Sequence, residues 1–73
     1  MNTLYPKKLL HTKWSAVQPI AKEKHFLVSN VIEPEQPQGT VEWVDVEAVH
    51  SRRTRRIPWV QLRDQSIWRQ GWV

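Results

Sequence analysis

The sequence predicts an all-β domain, either a small curled antiparallel sheet or an SH3-like barrel of four to five strands, with a short helical turn near the C-terminus. Three observations lead there. Residues 24–33 and 41–49 alternate apolar and polar side chains and are rich in β-branched residues, as half-buried strands require. Between them, Pro34-Glu35-Gln36-Pro37-Gln38-Gly39 is loop chemistry, and a basic apolar run ending in Ile57, Pro58 and Trp59 follows at hairpin distance. Finally, a chain of 73 residues buries only ~60% of the surface its unfolded form exposes, and five tryptophans, one Phe and one Tyr supply the bulk that so thin a core needs.

Taken in order, residues 1–12 read as an arm. Pro6 breaks any period there, and Leu4, Tyr5, Leu9 and Leu10 would lie across the body formed by residues 13–73. Residues 13–17 form a short strand that Pro19 ends, and Ala21 to Lys24 form a charged turn. The register of the next two strands follows from side-chain faces. Pairing Ile32 with Glu42 sets Asn30 against Val44, Val28 against Val46 and Phe26 against Ala48, whereas a one-residue slip sets Val28 against Asp45 and Phe26 against Glu47.

In the second hairpin, a two-residue turn at Ser51 and Arg52 and a four-residue turn from Ser51 to Thr54 both place Ile57 and Trp59 on the face of Val44, Val46 and Ala48. Beyond Pro58, Trp59 to Leu62 suit one helical or 3₁₀ turn. Asp64 then caps a second short helix; Trp68 and Trp72 would share a helical face only if it ran past Gly71, which instead stops it, and this segment folds back as a lid over one end of the sheet.

Composition narrows the function. There is no cysteine, which excludes a disulfide framework and thiolate metal sites and fits a reducing compartment. Lys7 and Lys8 are followed by no apolar run of signal-peptide kind, nothing approaches the ~20 apolar residues of a membrane span, and a cytoplasmic location without a membrane partner is expected. His11, His25 and His50 lack metal-ligand spacing, Gly39 and Gly71 form no phosphate-cradling loop, and His50 and Ser51, adjacent on a strand, would point to opposite faces. No catalytic residue, metal or cofactor is expected, and the chain reads as a non-catalytic binding module.

Charge points to a partner. The net charge is +4, yet residues 33–47 hold five acids and no base, while residues 52–69 hold six arginines and one Asp. Arg53 and Arg55 share the face of Ile57 near the open end of the core and are the expected phosphate holders; Arg52 and Arg56 point to the opposite face, beside Glu47 and Asp45. Arg52, Arg56, Lys7, Lys8 and Lys13 would widen the field, and Trp43, outward on that opposite face, would stack a base or be covered by the arm, with Trp14 a second stacking candidate if exposed. The expected ligand is RNA or single-stranded DNA, bound alone or within a ribonucleoprotein. The alternative is a protein-protein adaptor of SH3-like type using exposed Trp and charged strips.

A set of positions spread over the chain carries a resemblance: Pro6-Lys7-Lys8-Leu9-Leu10, Lys13-Trp14, Ala16-Val17, Glu23 to Val28, Glu47-Ala48-Val49, Pro58-Trp59, Leu62, Asp64, Trp68 and Gly71-Trp72. In these the chain resembles a small tryptophan-rich bacterial protein family of unknown function. The resemblance implies a free-standing small bacterial protein and brings no catalytic or binding residues; Tyr5 stands where the pattern has Asn, and residues 33–38 are a variable loop.

Overall fold

The computed structural model describes residues 5–36 and 39–73. Its five strands are β1 (Lys13–Ile20), β2 (Glu23–Val31), β3 (Trp43–Ala48), β4 (Thr54–Pro58) and β5 (Trp68–Gln70), with 3₁₀ turns at Pro6–Lys8 and Trp59–Arg63. All pairings are antiparallel, and the strands form one sheet in the order β4-β3-β2-β1-β5. The fold is therefore all-β, and the antiparallel sheet is open and uncurled where a curled sheet or an SH3-like barrel was expected. β4 and β5 are its two edges and are not paired to each other, so no barrel closes.

One face holds the core. Trp14, Ala16, Phe26, Val28, Val44, Val46, Ala48 and Trp68 are buried there, Leu9 and Leu62 from outside the strands join the same cluster, and Val31, Ile57 and Trp59 pack against it half-buried. The two leucines do what barrel closure would have done, removing the exposed side of a single layer from water. Phe26 and Trp68 meet edge to face at 5.3 Å, the geometry an aromatic quadrupole favours.

Strand positions depart from expectation in five places, each for a local reason. β1 runs through Pro19 to Ile20, because its pairing with β2 is irregular between Ser15 and Ile20 and the missing proline N–H costs no ladder bond. Ala21 and Lys22, at φ 51° and 68°, make the two-residue connection between Ile20 and its partner Glu23, so the turn is shorter than expected and β2 begins at Glu23, one residue before Lys24.

The register of β2 on β3 is as expected at Phe26–Ala48 and Val28–Val46, but then Asn30 opposes Asp45 and Val31 opposes Val44. Ser29 is the extra residue of a β-bulge. It turns Asn30 to solvent and Val31 toward the core, removing a polar side chain that an unbroken register would have set on the apolar face opposite Val44.

The second hairpin turns two residues earlier than expected: Val49 to Arg52 form the loop, closed by Ala48 N–H donating to the Arg53 carbonyl at 2.8 Å, with Arg52 at φ 65°. Ile57 still faces the core opposite Val44, because shifting the turn by an even number of residues preserves face parity.

The second helix expected after Asp64 does not form. Asp64 Oδ1 accepts from Ser66 N–H and Oγ–H, closing a turn, and the chain then extends into β5 along β1, which buries Trp68 and leaves Trp72 on the other face. Within the expected arm, Leu9 is buried, Tyr5 and Leu10 are exposed, and Leu4 lies outside the described residues. No helix among the described residues is long and apolar enough to cross a membrane.

Candidate nucleic-acid interface

Face alternation along β4 sorts the four hairpin arginines into two pairs. Arg56 opposes Asp45 on the outer face and is held by it, Nε donating to Oδ1 at 2.9 Å and Nη2 to Oδ2 at 3.4 Å. This partner raises the guanidinium pKa further above its already basic range, through the hydrogen bond first and the charge second. Arg52, in the turn, reaches Glu47 at 3.5 Å with its side chain 82% exposed. In both pairs the guanidinium is open to water and the carboxylate is partly covered, so each neutralises charge while screening keeps its contribution to stability small.

Arg53 and Arg55 are different. They lie on the core side of the strand, opposite Ala48 and Val46, beyond the last apolar cover, and both are exposed. Neither makes an ion pair with a described residue. Two residues apart on an extended strand, their Cα atoms are separated by about 6.6 Å, a spacing suited to successive phosphates of one strand.

The same face continues through Ile57 to Trp59, which is half-buried, with the Arg63 guanidinium 5.9 Å from its ring centroid. Trp59 and Arg63 were not among the residues expected to bind, although the two-residue period from Arg53 through Arg55 and Ile57 points at Trp59. Beside Arg63 lies an open hollow of about 540 Å³ lined by Val60, Asp64, Gln65 and Ser66.

Other expected contributors are dispersed. Trp43 is 44% exposed, but on the outer face, in a hollow of about 430 Å³ shared with Glu33, Glu35 and Glu42. A base stacked there would carry its phosphate among carboxylates. Lys13 is also on the outer face, with its ammonium 4.8 Å from the Trp72 ring centroid. Lys7 and Lys8 sit on the first 3₁₀ turn beside Gly39, Thr40 and Val41, at the opposite end of β3 from Arg53, a strand length of roughly 17 to 20 Å away.

His50 and Ser51 fall in the exposed β3–β4 turn, where Ser51 Oγ accepts the Arg53 N–H at 3.2 Å. Among the described residues no group of three or more His, Asp or Glu side chains is placed to hold a metal ion.

The segment Gly71–Val73 crosses the outer face above β1 and β2. Ser15, buried although it points away from the core, donates from Oγ to the Gly71 carbonyl at 2.7 Å and accepts the Val73 N–H at 3.0 Å. Trp72 donates its indole N–H to the Phe26 carbonyl at 2.9 Å and lies 6.1 Å from the His25 ring. This strap covers the outer side of β1 and β2 and leaves the β4 edge open.

Neither a curated protein nor a solved structure matches the chain. A family profile does, over residues 12–73, a stretch that includes the whole sheet, both arginine pairs and the strap, and leaves out Lys7 and Lys8. On that match the chain belongs to the tryptophan-rich protein family DUF2389.

Proposed function

We propose that this protein is a binding module for RNA or single-stranded DNA, with Arg53 and Arg55 as its phosphate contacts. The supporting observation is the division of the hairpin arginines: two are neutralised by Asp45 and Glu47, and two on the other face remain exposed without a carboxylate. Guanidinium forks on a rigid strand meet phosphate oxygens at low ordering cost. Trp59, half-buried on the same side, supports this reading as the aromatic that would meet a base in place of Trp43.

The test is fluorescence anisotropy of a labelled oligouridylate or oligothymidylate across a salt series. Binding should weaken steeply with salt, and Arg53→Ala with Arg55→Ala should flatten the log–log slope by about 1.4, at ~0.7 per single-strand phosphate contact. Absence of binding at low salt, or an unchanged slope, overturns the proposal.

A second reading has its own observation. Trp43 beside Glu33, Glu35 and Glu42 favours a cationic peptide, with the chain acting as an interaction adaptor. Such binding would be abolished by Trp43→Ala and unaffected by the Arg53 and Arg55 substitutions.

A further inference from the structure

β4 is an open edge, and the ladder shows which of its backbone groups are free. Ala48 N–H donates to the Arg53 carbonyl and Trp59 N–H to the Glu42 carbonyl, so positions 53, 55, 57 and 59 are the hydrogen-bonded ones toward β3. Thr54 and Arg56 alternate with them. Their N–H and C=O groups point away from the sheet, whereas the Pro58 carbonyl is taken up as the cap of the 3₁₀ turn that follows, and no described strand other than β3 pairs with β4. Pro58 itself sits at a non-bonded position, where its missing N–H costs the ladder nothing.

Charge selects what such an edge can accept. Arg53 and Arg55 flank it on one face, and Arg56, 58% exposed despite its pairing, flanks it on the other. A second copy adding its own β4 would bring arginine against arginine, and β5 of a second copy carries Arg69, so pairing between copies by their edges sets like charges together. A strand bearing carboxylates at alternate positions meets the opposite sign at each cross-strand neighbour.

We infer that the β4 edge is a docking site for an acidic extended segment of a partner protein, which adds as a sixth strand through the Thr54 and Arg56 backbone groups. This inference goes beyond the nucleic-acid reading and does not depend on it, because it uses main-chain hydrogen bonds that a phosphate backbone does not make in that pattern.

The probe is a labelled peptide of alternating Glu and Val, assayed by anisotropy and by amide hydrogen exchange of the intact protein. The peptide should bind and slow exchange at Thr54 and Arg56, whereas an oligonucleotide should leave those two amides unprotected. Thr54→Pro removes one outward donor at a position that, like Pro58, makes no bond to β3, and should weaken the peptide by about tenfold while leaving oligonucleotide affinity unchanged. Absence of peptide binding, or binding without protection at Thr54 and Arg56, overturns the inference. The protection measurement is made on the unsubstituted chain, so it decides the matter even if the proline variant fails to fold.

Discussion

Arg56 grips Asp45 across the β3–β4 pair through two donors, at 2.9 and 3.4 Å, while its neighbour Arg55, one residue away, faces the other side with no carboxylate. Strand alternation thus divides a continuous basic run into a neutralised half and a free half. Asp45 sets that division on the outer face.

Asp45→Asn should release Arg56 as a further phosphate contact. The expected outcome is tighter oligonucleotide binding at low salt and a log–log slope steeper by about 0.7, measured by the same anisotropy series. Stability should fall only slightly, since the Arg56 guanidinium is open to water.

Ser15 ties the strap down. Ser15→Ala removes a buried hydroxyl and leaves the Gly71 carbonyl and the Val73 N–H without their partner. The expected cost is about 1–3 kcal/mol in chemical denaturation, with a change in tryptophan emission as the Trp72 indole loosens from Phe26.

Lys22 sits at φ 68° in a two-residue hairpin turn, a backbone region that side chains disfavour. Lys22→Gly should raise stability by ~1 kcal/mol, seen as an increase in Tm of roughly 4 to 8 °C. An unchanged or lower Tm would show that the turn carries no such strain.

Asp64 titrates below the ordinary carboxylate range, because Ser66 donates to it first from its hydroxyl and then from its backbone N–H. A carboxyl whose pKa is lower folded than unfolded stabilises the fold fully above its unfolded value and loses that contribution as pH falls through its folded value. The denaturation midpoint of the wild type should therefore exceed that of Asp64→Asn at neutral pH. The two curves should converge in acid.

Much of this fold is local chemistry and was readable in the chain. Alternation around Phe26 and Val28 and around Val44 and Val46 specified two strands and the register between them from Phe26 to Val28, because a slip there buries Asp45 or Glu47. Parity alone carried Ile57 to the core and Arg53 and Arg55 to its rim whatever the turn. What neighbouring residues do not encode is which distant segment completes a layer. Residues 68–70 follow a polar turn and lack a strand-length apolar pattern; they become β5 because the edge of β1 needs hydrogen-bond partners and the core needs Trp68.

The bulge at Ser29 is of the same kind. It exists because an unbroken ladder would set Asn30 in the core, a cost visible only once β2 and β3 are paired. The candidate site divides along the same line. Its two free arginines follow from strand periodicity, whereas the substitution of Trp59 for Trp43 as their aromatic neighbour was decided by tertiary structure, which put Trp43 among carboxylates contributed by the loop between β2 and β3. Face and register are short-range consequences of a two-residue repeat; adjacency between segments depends on which exposed edges and apolar surfaces the whole chain must cover at once.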